Sequence, residues 1–196
     1  MLLNKFKLKN WKKLTPAKRQ DVLQLLENKM AKRAKRPAMP VSAVIKENWT
    51  NYGMFEFSSN KATLHLNLSL LTNDELRFQA MATVLHEGRH CTQHYATNGK
   101  LSFFDFRAKR WQKNMQKYVR YSEDEELYKM QEIERDAQKF ALKKLNAWKH
   151  KFRNEEDFWI VFNGLVGLYE QNEQDARVKY GMFYKNKIRR KIDRRM

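Results

Sequence analysis

The chain has 196 residues, 42% of them hydrophobic, and carries 40 Lys/Arg against 22 Asp/Glu for a formal charge of +18. That length suits one domain with a real core, and no apolar run approaches membrane-spanning length. Met1-Leu2-Leu3 runs at once into charged residues, so no hydrophobic stretch for a signal peptide is present and a cytoplasmic location is expected.

In chain order, Thr15-Pro16 predicts a helix start, carried through Met30 with Val22, Leu23, Leu25 and Leu26 available for burial. Pro37 and Pro40 end a basic run and open a sheet region. Three short strands are predicted there, Ala43 to Glu47, Tyr52 to Phe57 and Ala62 to Leu68, the last alternating apolar and polar. Ser58-Ser59-Asn60-Lys61 is the polar connection of a hairpin. His65 and Asn67 share the polar face of the third strand, and a free strand edge could take an extended peptide through main-chain hydrogen bonds. Thr72-Asn73-Asp74-Glu75 has the capping-box form. Leu76, Ala80, Met81, Val84 and Leu85 then follow at helical spacing, and Asn98-Gly99 supplies a stop. Arg107 to Tyr121 reads as a basic helix. Glu125 to Lys149 reads as one long helix, with Met130, Ile133, Ala137, Phe140 and Ala141 as its apolar stripe. Asn154 to Glu170 has the apolar density of a buried helix, and the tail from Lys185 fits helix or disorder equally.

The chemistry-bearing stretch is His86-Glu87-Gly88-Arg89-His90, inside a predicted helix. Two histidines four apart project from one face and reach a single metal ion. Glu87 between them is placed as a general base on a metal-bound water. His94 lies two turns past His86, too far along the axis to join. Cys91, the only cysteine, diverges from His90 by about 100° and points elsewhere. A lone cysteine also excludes an internal disulfide and fits a reducing compartment. Gln93 and Ala96 stand where a metzincin needs glycine and a third histidine. The third ligand must come from another element. Glu134 borders the apolar stripe, where a carboxylate is costly unless paired or metal-bound, and Glu132, paired with Asp136, is the runner-up. Tyr128, His150 and Arg89 are candidates for stabilising an oxyanion.

His86 to His90 followed by Gln93, then Tyr128, Gln131, Glu134, Asp136 and Ala137, resembles the small gluzincin-type proteins of Gram-positive bacteria and their phages and plasmids. Their pattern runs HExRHxxQ and then YxxQxxExDA. Glu134 to Ala141 is also similar to the ExxANxFA helix of ImmA/IrrE-type metallopeptidases, with Gln138 where that family prefers asparagine. The resemblance spans roughly residues 50 to 145. It implies an α+β fold, mostly helical and zincin-like, with a small antiparallel sheet packed on the HExxH helix. It further implies Zn2+ held by His86, His90 and Glu134, with Glu87 as the catalytic base of a peptidase acting on a protein or peptide substrate.

Charge is uneven along the chain. Residues 1–36 carry twelve Lys/Arg against two acids, residues 177–196 nine against one, and residues 37–176 nineteen of each sign. The expected organisation is therefore a basic helical segment over 1–36, a core over 37–176 and a basic tail over 177–196. Such ends are suited to non-specific DNA or RNA contact, with Lys12, Lys13, Arg33, Arg36, Lys187, Arg189, Arg190 and Arg194 neutralising phosphates. Phe6, Trp11, Tyr180, Phe183 and Tyr184 are interleaved with them and suited to stack on bases. Two functions stay open: a zinc metallopeptidase, and a nucleic-acid-associated regulatory protein of a mobile element that keeps the zincin fold without cleaving anything.

Overall fold

The computed structural model describes residues 2–45, 51–101 and 105–193, with Asp105 and residues 182–193 described by backbone alone. Helices α1 (Leu8–Trp11) and α2 (Pro16–Arg33) lead into β1 (Val41–Val44), β2 (Gly53–Ser58), β3 (Lys61–Asn67) and a short α3 (Ser69–Thr72). There follow α4 (Arg77–Thr97), α5 (Asp105–Met115), α6 (Glu125–Met130), α7 (Glu132–Trp148) and α8 (Glu156–Asp193). The architecture is α+β, mostly helical, with one small sheet.

Local chemistry sets the element ends. Thr15 caps α2 by accepting from the Lys18 N–H at 3.4 Å, and Pro16 occupies the first turn, where a missing N–H costs nothing. The capping signal before α4 falls one residue later than expected. Asn73, not Thr72, accepts from the Glu75 N–H at 2.9 Å and starts the turn Asp74–Leu76 that feeds the helix. Gly99 adopts φ +71° after α4, the left-handed conformation that ends a helix.

Among the described residues the sheet has three strands in the order β1-β3-β2. Ser59 and Asn60 both take positive φ and close β2 and β3 into an antiparallel hairpin. β1 pairs parallel to β3, so the sheet is mixed rather than antiparallel as expected. The cause lies outside the strands. Gln20 and Gln24 of α2 bond the backbone of Met39 and Val41 at 2.7–2.8 Å, which fixes where β1 enters and which way it runs. β1 begins two residues earlier than the predicted strand, and Lys46 and Glu47 lie outside the described residues.

α4 is buried on nearly every side and packs against α2, α5, α7, α8, β2 and β3. Its apolar residues Phe78, Met81, Val84 and Leu85 share one core with Leu64 and Leu66 of β3, Leu23 and Leu26 of α2, and Phe6 and Trp11. Phe6 and Trp11 are 0% exposed, so neither is available to stack on a base. Burial of these large rings against the core outweighs the basic residues around them. Over residues 156–181, α8 is covered on one side only. Phe158 is buried, but Ile160 is 67% and Leu168 43% exposed, against the expectation of a fully buried helix. Among the described residues, no helix is long and apolar enough to cross a membrane.

The long helix expected over Glu125 to Lys149 is broken. Gln131 has ψ 142°, and its side chain accepts from the Val119 N–H at 3.0 Å and donates to the Val119 carbonyl at 2.8 Å. The break makes Glu132–Glu134 the first turn of α7, which faces α4 directly.

Candidate metal centre

His86 and His90 lie one turn apart on α4, and Glu134 comes from the first turn of α7. The Nε2 atoms of the two histidines are 3.0 Å apart, and Glu134 Oε2 is 3.4 Å from His86 Nε2 and 3.3 Å from His90 Nε2. Ligands about 2.0–2.1 Å from a tetrahedral ion stand about 3.3 Å from one another, so the three atoms have the spacing of three corners of such a site. These residues could hold a metal ion. Glu132 is not among them, because it turns outward and pairs with Arg110 at 2.9 Å.

The potential at this point also suits a cation. Burial alone would lower the His90 imidazole, but Glu134, with smaller contributions from Glu87 and Gln93, raises it to about 9. Burial would raise Glu134, yet His90 and His86 hold its carboxyl well below the usual range.

The remaining motif residues orient these donors. Gln93, fully buried, donates through Nε2 to the Ile133 carbonyl at 2.9 Å and to Asp136 at 3.0 Å, which fixes its Oε1 toward His90. His90 Nδ1 lies 2.8 Å from that oxygen and donates to it, so Nε2 points at Glu134. Asp136 accepts from Arg89 at 2.7 and 3.2 Å, and the guanidinium lies over Trp111 at 4.9 Å. Arg89 is therefore committed to joining α4 to α7 and is not an oxyanion donor.

Beneath the motif, Arg36 is 6% exposed and donates to both oxygens of Glu27, at 2.6 and 3.0 Å, and to the Gly88 carbonyl at 2.9 Å. A Cβ at Gly88 would stand 3.0 Å from Glu27 Oε2 and 3.2 Å from Arg36 Nη2, which is why the motif helix is bare there. Arg36 thus belongs to the core and not to a nucleic-acid surface, because a buried carboxylate demands its charge. Lys12, Lys13 and Arg33 are exposed; the side chains of Lys187, Arg189 and Arg190 and all of Arg194 lie outside the described residues. Tyr180 is 46% exposed, and the side chains of Phe183 and Tyr184 lie outside the described ones.

Glu87 faces the cleft between α4 and β2, where its Oε2 accepts from the Phe55 N–H at 2.9 Å. Gly53 makes that approach possible. A Cβ there would stand 2.4 Å from Thr83 Cγ2 on α4. Cavities of about 290 and 670 Å3 adjoin the donors, His86 lining the first and His90 the second, with Glu87, Tyr128 and Glu134 on both. The first has an apolar wall of Ala82, Ala141, Leu165 and Leu168. His94 stays out of the donor set and packs on Phe57 with ring centroids 4.0 Å apart. Cys91 is fully buried, and its thiol is pushed up to about 12 by burial.

No family model, curated protein or solved structure matches this chain. The donor set and its surroundings therefore carry the functional reading.

Tyr118 is the residue that pattern reading missed. Its hydroxyl donates to Glu134 Oε1 at 3.1 Å, leaving Oε2 directed at the histidines. The Gln131 clamp on Val119 sets the neighbouring backbone, but nothing in the spacing of Tyr118 from Glu134 marks the contact. Tyr118→Phe is expected to weaken metal-ion binding at these donors about 10-fold or more without lowering thermal stability of the metal-free protein, measured by competition with a chelating dye.

Proposed function

We propose that the chain is a zinc-dependent peptidase of gluzincin type, and the observation that carries this is Glu87 facing the same cleft as three donors with tetrahedral spacing. Two imidazoles and one carboxylate suit zinc, and three protein ligands leave a position open as catalytic zinc sites do. Bound there, the ion would supply a Lewis acid and a nucleophilic water at neutral pH. His86, His90 and Glu134 would hold it, with Gln93 and Tyr118 setting their orientation.

Glu87 is positioned by the Phe55 N–H to take a proton from the attacking water at its carboxylate and to pass it to the departing amine. Among the described residues β2 is an edge strand, bonded to β3 on one side only, and its other side borders the cleft. An extended peptide added along that edge would bring its carbonyl to Glu87. Tyr128 lines both cavities, and burial followed by the charge of Glu134 pushes its phenol far above the usual range, so it stays a donor for developing negative charge. His150 lines neither cavity and has no such role.

A second reading follows from the exposed Lys12, Lys13 and Arg33 and the overall +18: a regulatory protein that keeps the fold and binds nucleic acid without cleavage. Glu87→Gln separates the two. Incubated with a peptide library in the presence of zinc, the parent protein should cleave and Glu87→Gln should be slower by about 100-fold or more, with zinc content unchanged. Absence of cleavage by the parent, or equal cleavage by both, would reject the peptidase.

A further inference from the structure

Lys7 and Lys9 flank Leu8, whose N–H donates to Glu155 Oε2 at 3.1 Å. That bond joins the start of α1 to the connection between α7 and α8. It brings Lys7 and Lys9 to face His150, Lys151 and Arg153 around a cavity of about 380 Å3, separate from the metal cleft. The nearest carboxylates are already committed. Glu155 and Asp157 both bond Arg77, which is 0% exposed, at 2.6 and 2.7 Å. Among the described residues, none of Lys7, Lys9, Lys151 and Arg153 has an acidic partner, whereas Arg19, Arg36, Arg77, Arg89, Arg110 and Arg135 all do.

Four unpaired cations around one concavity repel one another, and protein walls focus their field into it. An anion seated there relieves that repulsion. The lining is charged and polar, with the small imidazole of His150 as its one ring and the Glu155 carboxylate bonded to Arg77, so it suits an oxyanion better than a stacked base. We propose that this pocket binds a phosphate-bearing anion through Lys7, Lys9, Lys151 and Arg153.

The experiment uses the full chain with inorganic pyrophosphate and, separately, a short single-stranded oligonucleotide, near physiological salt. Lys151→Gln with Arg153→Gln should weaken pyrophosphate binding by about tenfold or more, since Arg153 loses paired donors as well as charge. Lys7→Gln with Lys9→Gln, from the other wall, should produce the same loss, which guards against a local folding effect. Lys139→Gln with Lys143→Gln, both exposed on α7, removes equal charge outside the pocket and should change binding by less than about threefold. If the oligonucleotide loses affinity in parallel and its salt slope drops by about two contacts, the phosphate arrives on a nucleic-acid backbone. If pyrophosphate alone responds, it arrives on a small molecule. Equal losses in all three variants, or no binding of either probe by the parent, would overturn the site.

Discussion

Glu134→Ala is expected to abolish most of the proposed zinc binding, while Glu132→Ala leaves it unchanged. Both glutamates lie in the first turn of α7, so both substitutions remove a carboxylate from the same helix end. They differ in direction. Glu134 Oε2 stands 3.3–3.4 Å from the two imidazole nitrogens, whereas Glu132 pairs with Arg110 at a half-exposed site. Loss of a direct ligand should exceed the roughly 10–100-fold typical of an outer partner such as Tyr118. Zinc per chain after chelator-free purification is the first readout. The second is the rise in melting temperature on adding zinc, because an ion bound at 100 times its Kd stabilises the folded state by about 2.7 kcal/mol. That rise should survive in Glu132→Ala and vanish in Glu134→Ala. Zinc retained by Glu134→Ala would remove the carboxylate from the site, and equal loss in both variants would assign the effect to helix integrity.

The motif helix and its partner glutamate were readable because helical phase is a local property. His86 and His90 share a face by spacing alone, and Glu134 is placed inward by the stripe it borders. The break at Gln131 was not readable, since Met130 and Ile133 continue the same stripe on either side of it. Only the distant Val119 backbone, which occupies the Gln131 side chain, reveals why the helix stops. Strand direction was hidden for a similar reason. Alternation in Ala62 to Leu68 reports burial and is blind to which way a neighbour runs, and β1 is aligned by glutamines of α2. Arg36 shows the limit most sharply. In sequence it differs in no way from Arg33 or Lys35, and its burial depends on Glu27 facing the core nine residues earlier.

That difference gives the largest expected effect on stability. Arg36→Met should destabilise the fold by about 3–5 kcal/mol, because it leaves the Glu27 carboxylate buried without its counter-charge. Glu27 is 0% exposed and would keep only the Met39 N–H, at 3.0 Å, among its present partners. Arg33→Gln removes the same formal charge three residues away on the surface and should stay within about 0.5 kcal/mol of the parent. Adding Glu27→Leu to Arg36→Met should restore much of the loss, since an apolar pair of similar volume avoids the stranded charge. Restoration stays incomplete, because the Met39 N–H then lacks its acceptor, at about 1–3 kcal/mol. Urea unfolding of the parent and the three variants measures this directly. A loss below about 1 kcal/mol for Arg36→Met would mean the pair behaves as a surface salt bridge and water reaches it. The consequence extends to the candidate metal centre, because the same guanidinium holds the Gly88 carbonyl at 2.9 Å midway between His86 and His90. Zinc affinity in Arg36→Met should therefore fall along with stability. In Arg33→Gln neither quantity should move.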